Sequence, residues 1–413
     1  MTTHKAPVRP MPLPEWTATD LVAALPQGPI ALLDGLSWEG RPCTLVAWDP
    51  VARVTEQLDA ALRLPDGQPL PTGIPPLSGA AVGHIAWDGA AHFWLPGAAA
   101  LFDPQAGQLW LRGNLPSGIG QQGGEGAGTG GGRTTARQLW DWSGFNAAVR
   151  AAQVRMEKGT LAKVILSVPW SAPCNGTPLA VYQRLTATSP PGLRYILQGE
   201  ETDGALIGVS PEPFVMLTGH KIDVHLLAGT RKAAGDAERE LLTSNKDRRE
   251  HTIAVVQARR DLESVCMDGS VSLEAFLTLE RHPGLVHLAS HLSGLLRDEV
   301  TSADLIRACF PTATVGGIPR EAAVTFINGA EPSPRNWYAG VVGALLPGGD
   351  LQLWLTIRSL LLKEGTAFVR TGAGIVRESN PAAEWRECMN KARHTLAALG
   401  AEVGVDGPGI HLS

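Results

Sequence analysis

Strand-like segments follow one another in this chain without helices between them, and that order restricts the fold more than any single motif. Residues 30–50, IALLDGLSWEGRPCTLVAWDP, alternate in a strand-like way, and VGHIAWDGAAHFWLPGA (82–98) and GQLWLRG (107–113) continue the run. LRYILQG (193–199) and ALIGVSPE (205–212) form a further pair. HLASHLSGLL (287–296) reads as another strand region, and the meander WYAGVVGALL, LQLWLTIRSLLL, AFVRTGAGIV closes the series over 337–376. Parallel neighbours need a long crossover, usually a helix, so strands in runs pair antiparallel. Helical patterns are fewer. One has Ser143 as its expected N-cap, an apolar face of Phe145, Val149, Ala152 and Met156, and Gly159 at its end. It leads into the buried-looking strand LAKVILSV (161–168). A second is expected as one long helix from about Ala237 to Val265, and a third has Asn380 as N-cap, Pro381 at its first position and Gly400 beyond its end. The expected class is α+β with largely antiparallel sheets.

Composition adds exclusions. The 413 residues suffice for one large or two ordinary domains. A net charge of −5, with 18% charged residues, gives no reason to expect nucleic acid or an anionic membrane as partner. No apolar run approaches the length of a bilayer span, and residues 1–16, MTTHKAPVRPMPLPEW, lack the apolar region of a secretory signal. The five cysteines are scattered with no CxxC pair, which points to reduced thiols in a cytoplasmic protein rather than a disulfide frame or a structural zinc site. Residues 1–16 read as a flexible N-terminus, 17–116 as the N-terminal part of the fold, 117–135 as a flexible loop and 136–402 as the core. The loop contains the tract GIGQQGGEGAGTGGGR (118–133), which suits a domain boundary or a hairpin insertion within one domain equally well.

Several residues have the chemistry of a site, each with a plainer alternative. Lys163 lies within a strand; such a lysine ordinarily snorkels outward, but pointing inward it becomes a usable base near neutrality. Glu212 follows Pro211 at a strand end, either as a solvated turn carboxylate or, in a desolvated pocket, as a general acid. On the long helix, Glu250 sits near Asp247 and His251, and a Lys246–Glu250 pair would be an ordinary i,i+4 contact. Glu384, Glu387 and Lys391 share one side of the last helix, where Glu387–Lys391 could again be only a salt bridge. Carboxylates from two helices meeting at one point suit Mg²⁺, which keeps several waters. Arg358, inside the apolar strand LWLTIRSLLL, needs a buried anionic partner. Residues 371–374, Thr-Gly-Ala-Gly, bring backbone donors close to a ligand or form only a bulge. His287 reads first as a satisfied core histidine, and Gly316, Gly317 and Pro319 as a turn.

In order along the chain stand KVILS, GVSPEPF, LAGTR, KDRREH, HLAS, FPTATVGGIPR, WYAGVVG, IRS, GAGIV and EWRECMNK. This series, from about Phe145 to Leu399, resembles the chorismate-utilising enzymes, a family that includes anthranilate, aminodeoxychorismate, isochorismate and salicylate synthases. The resemblance implies one large α+β domain, antiparallel sheets flanked by helices with the site in a cleft between them. It implies Mg²⁺ held by Glu250 and Glu387 and bridging to the ring carboxylate of chorismate. The enolpyruvyl carboxylate would then meet Arg358, the backbone of Gly372, Ala373 and Gly374, and Lys391, with Tyr338 lining that side. Ser210, Gly229, Thr230, His287, Thr314 and Ile357 complete the implied substrate-binding set.

Within the family, the resemblance implies a hydroxylating member. Aminating members carry Gln where this chain has Lys163, and aminodeoxychorismate synthases place a lysine where Ala228 stands. The tryptophan-sensing LLES motif is also altered, with Gly35 in place of serine. The expected activity is isochorismate formation, with Lys163 as base for water and Glu212 as acid, starting menaquinone or siderophore synthesis. Thr314 departs from the isochorismate pattern, which leaves elimination of pyruvate to give salicylate as the alternative. No amidotransferase subunit is expected, and the protein is expected to be a monomer or homodimer.

Overall fold

The structure, a computed structural model, describes residues 7–65, 73–119, 134–282 and 285–403. Most of the glycine tract (120–133) lies outside the described residues, as do positions 1–6. Two antiparallel arms grow from one long strand, Ala91–Asp103. One edge of it pairs with Arg41–Thr55. The other edge is divided between Ala81–Ile85 and Gln108–Arg112.

The first arm continues from Arg41–Thr55 through Ile30–Trp38, Leu193–Gly199 and Gly204–Ser210. It then passes through Ser359–Lys363 and Thr366–Ile375 to Lys163–Pro173. The second arm continues from Ala81–Ile85 through Val341–Leu345, Leu351–Leu355 and Pro213–Thr218. It ends with Lys221–Lys232, Leu285–Leu295 and Ser272–His282. Every pairing along both arms is antiparallel, as strands in runs require. The helices pack on these sheets around a core that includes Trp170, Trp385, Tyr195, Phe93 and Phe145, all fully buried. The molecule is α+β.

Two chain segments cross from one arm to the other at the same place. Pro211 and Glu212 join Gly204–Ser210 in the first arm to Pro213–Thr218 in the second. Residues 356–358 join Leu351–Leu355 in the second arm to Ser359–Lys363 in the first. Backbone bonds lock the crossings together: Leu355 N donates to Glu212 O at 3.0 Å, and Val209 N donates to Arg358 O at 3.2 Å. Pro211 has no N–H to extend a ladder, and Arg358 takes a left-handed φ of 52°, so both strands must stop here. Arg358 is therefore not inside a continuous strand, as LWLTIRSLLL suggests, but at the break that turns the chain between sheets.

Other boundaries differ from the expectations as well. The first large helix, Trp142–Glu157, is capped by Asp141, whose Oδ1 accepts from Gly144 N at 2.8 Å; Ser143 sits inside the first turn. The long helix expected over 237–265 is two, Ala237–Thr243 and Asn245–Glu263. Ser244 interrupts it by accepting from Asp247 N at 3.2 Å, because a short hydroxyl side chain competes for backbone donors. WYAG forms a turn ahead of Val341–Leu345 rather than the start of a strand. The last helix, Pro381–Ala397, has Asn380 as its cap. All five cysteines are buried and free. Among the described residues no helix is long and apolar enough to cross a membrane.

Candidate active site

Lys163 opens the strand Lys163–Pro173 and is only 4% exposed, so it points inward. Alternation along the strand places it on one face with Ile165 and Ser167, whose partners on the neighbouring strand are Gly374 and Gly372. Its charge reaches both Glu212 and His251. His251 is fully buried, bonded through Nε2 to Ser290 Oγ at 2.7 Å. Burial, with Lys163 and His225 nearby, pushes its pKa down to about 4 and leaves the ring neutral.

Glu212 lies in the split between the arms, 6% exposed. Burial pushes its carboxyl up to about 7; a hydrogen bond from Thr314 and the charges of Lys163, His225 and Lys391 act against that rise. The Thr314 hydroxyl also shares a 2.7 Å bond with that of Thr312. Ser210, fully buried just before the crossing, donates to the Glu212 carbonyl at 3.4 Å. His225 is a member of this surround that sequence reasoning missed. It sits in a strand, paired to Glu280 at 2.9 Å, and an alternating polar position in KIDVHLL looks like ordinary surface.

The carboxylates come from two helices. Glu250 Oε1 is buried without a hydrogen-bond partner, and so is Glu384 Oε2. Glu384 Oε1 accepts from Lys246 Nζ at 2.6 Å, so Lys246 reaches across to the last helix instead of forming an i,i+4 pair with Glu250. Burial raises the Glu384 carboxyl above its ordinary range despite that bond. Glu387 and Lys391 do form their i,i+4 pair, at 2.7 Å. Burial would raise the Glu387 carboxyl, but the Lys391 ammonium outweighs it and holds it below the ordinary carboxylate range. Lys246 feels the charges of Glu250 and Glu387 as well as that of Glu384.

Among the described residues no three His, Cys, Asp or Glu side chains close into a metal cage. Carboxylate oxygens from two helices, with buried oxygens lacking partners, fit the sparse oxygen coordination of Mg²⁺. Gly374 sits against this group: a Cβ there would collide with the Glu250 carboxylate. Gly374→Ala should therefore displace Glu250 and weaken Mg²⁺ binding about 10-fold or more, measured by calorimetry, while folding is retained. Unchanged Mg²⁺ affinity in that variant would separate Glu250 from the metal.

The positions of the rest of the implied set follow from the same sheets and helices. The Arg358 guanidinium has no hydrogen-bond or ion-pair partner among the described residues, and burial lowers its pKa while Tyr338 and Glu387 oppose that. Ile357 precedes it in the crossing, its carbonyl accepting from Ser359 Oγ at 2.7 Å. Lys391 Nζ donates to Gly372 O at 2.8 Å. A Cβ on Gly372 would lie 2.9 Å from the Tyr338 hydroxyl oxygen, so glycine permits the ring to lie close. Ala373 is on the opposite face of that strand and is buried. Gly229, at φ +61°, packs toward Leu241 and Asp247. His287 is buried, paired in register with Thr230, whose own side chain lies outside what is described.

A buried ionic network supports these elements and carries no motif in the sequence. Glu331 Oε1 accepts from Ser167 N, Ser167 Oγ and Arg335, and Oε2 from Arg370. Arg335 donates to Ile165 O at 2.7 Å and Val315 O at 2.8 Å, with Trp87 stacked at 4.3 Å from its guanidinium. It thus ties the Lys163 strand to the segment bearing Thr314.

Comparison with known proteins identifies the family. The family model described as chorismate binding enzyme matches residues 83–397. Anthranilate synthase component 1 of Arthrobacter globiformis is 35% identical over 274 residues, 64% of this chain and 52% of that protein. Its counterpart in Spirochaeta aurantia is 38% identical over 232 residues, 54% of this chain and 48% of that one. The chain thus spans about half the length of these curated relatives. Among solved structures, the menaquinone-specific isochorismate synthase of Escherichia coli superposes with a TM-score of 0.79 at 21% identity, covering 96% of this chain and 95% of that one. Anthranilate synthase component I of Streptococcus pneumoniae gives 0.74 at 22% identity, covering 87% and 93%. At those identities the structures share the fold. With the family model covering most of the chain, from the strand Ala81–Ile85 to the end of the last helix, the protein belongs to the chorismate-binding enzyme family.

Proposed function

We propose that the protein is a Mg²⁺-dependent isochorismate synthase. The observation that carries the reading is the pair of buried groups, Lys163 and Glu212, with the Glu212 carboxyl at about 7. Lys163 in its uncharged form takes a proton from water, and the resulting hydroxide oxygen bonds to the second ring carbon of chorismate. Both ring double bonds shift, the bond from the fourth ring carbon to its hydroxyl breaks, and Glu212 gives that hydroxyl its proton, so it leaves as water. Arg358, Lys391 and the Gly372–Gly374 backbone hold the enolpyruvyl carboxylate; Glu250 and Glu387 hold the metal, which when bound neutralises the ring carboxylate. Ser210, Gly229, Thr230, His287, Thr314, Tyr338 and Ile357 line the substrate.

The test is incubation of purified protein with chorismate and Mg²⁺, followed by product separation. Isochorismate without free pyruvate is expected. Two other outcomes assign the chain elsewhere. Salicylate with pyruvate would add an elimination step, the alternative that Thr314 leaves open. Anthranilate formed with ammonia would place the chain with its sequence relatives, against the reading of Lys163. On the proposed reading no amidotransferase partner is required.

The pH profile carries a further prediction. Glu212 must hold a proton to act, so its ionisation sets the alkaline limb of the acid's own contribution to kcat/KM, with an inflection near pH 7. In Glu212→Asp, whose shorter side chain reaches less far from solvent, this alkaline limb should move to lower pH. A limb that stays in place in that variant would assign it to another group.

A further inference from the structure

We infer that Lys246 is a built-in counter-cation of the carboxylate cluster, a positioning residue that holds the helices bearing Glu250 and Glu387 together before a metal arrives. The inference rests on the reading of those two residues as Mg²⁺ ligands. Lys246 stands in the first turn of Asn245–Glu263, and Glu384 in the first turn of Pro381–Ala397. Their 2.6 Å ion pair joins two helices that are far apart in the chain. Glu384 is 1% exposed, and Lys246 is the cation that pairs with it. A carboxylate buried so completely is strongly disfavoured without a cation beside it.

Lys246 and Glu250 are one turn apart on one helix, as are Glu384 and Glu387 on the other, so the charge of the same ammonium also acts on Glu250 and Glu387. It therefore offsets the repulsion among three carboxylates that would otherwise push the helices apart. A second pair, Arg249 to Glu378 at 2.6 Å, spans the same gap, but both partners are more than half exposed and its contribution is small. A divalent cation relieves the same repulsion. Lys246 and the metal are thus alternative sources of positive charge for one cluster, and removing the first makes stability depend on the second.

Thermal unfolding of the full chain, with Mg²⁺ and with a chelator, tests this. In chelator, Lys246→Gln should unfold about 5 °C below the wild type, because a buried carboxylate has lost its partner. Mg²⁺ should restore most of that loss, so the Mg²⁺-induced rise in Tm is larger in the variant than in the wild type. The double variant Lys246→Gln, Glu384→Gln removes both charges and should regain wild-type stability in chelator; it also serves if the single variant does not fold. A Tm loss of equal size with and without Mg²⁺, or a double variant no more stable than the single one, overturns the inference and leaves the metal assignment standing. A wild type whose Tm does not respond to Mg²⁺ overturns the metal assignment, and this inference falls with it.

Discussion

Lys163→Ala is expected to lose about 10³-fold or more in kcat while its chorismate affinity changes only a few-fold. A general base contributes on the order of 10²–10⁴ to rate, and the residues that hold the substrate's carboxylates are elsewhere. Lys163 is not among the groups proposed to grip chorismate's charges, of which Arg358 and Lys391 act from the sheet crossing and the last helix. The variant also guards against a misleading cause. Glu212 itself is untouched in this variant, and its carboxyl stays raised by burial, the largest influence on it. A loss of turnover at neutral pH then reflects the missing base. Calorimetry with chorismate and steady-state kinetics on the same preparation give both halves. Turnover within tenfold of the wild type would remove Lys163 from the chemistry.

Glu212→Gln should lose turnover by about 10²–10⁴-fold and gain stability above neutral pH. The sign follows from the direction of the shift. Burial raises the folded-state pKa from 4.5 to about 7, so the folded protein keeps a proton that the unfolded chain has already released. Stability therefore falls as pH rises between these values, and the full cost is present above about 7. A shift of that size corresponds to about 3 kcal/mol, as an order of magnitude, that an uncharged glutamine does not incur. Denaturant unfolding at pH 8 should show the variant more stable than the wild type, with the difference shrinking toward pH 5. This is the stability–activity opposition expected where an acid is kept protonated by its surroundings. A variant less stable at pH 8 would mean that Glu212 is already well satisfied as a carboxylate.

Much of this was legible in the chain because antiparallel strands in runs leave a simple alternating record, and because caps such as Asn380 use local chemistry. The inward direction of Lys163 was not. Its neighbours Ala162 and Val164 allow either face, and only the pairing of its strand with Thr366–Ile375 decides. Arg358 stands out in the sequence as a cation among apolar residues, but its position at a break between sheets is hidden there. Apolar residues continue on both sides, and a left-handed φ at arginine has no sequence signature. Ser244 and Asp141 were missed as caps for the opposite reason: several polar residues nearby were equally able to cap. Lys246 and the Glu331–Arg335–Arg370 network make their contacts over long sequence separations, which no local spacing encodes. The i,i+4 rule offered Lys246 the wrong partner, since a buried acid on another helix holds the ammonium more strongly than an exposed neighbour.

Oxygen transfer from solvent tests the central claim most directly. Chorismate turned over with Mg²⁺ in ¹⁸O-labelled water should give isochorismate carrying one labelled hydroxyl, on the second ring carbon, with the original fourth-carbon oxygen released to solvent. Product that retains only unlabelled hydroxyl oxygen, or that appears only when ammonia is supplied and carries nitrogen at that carbon, would contradict the account.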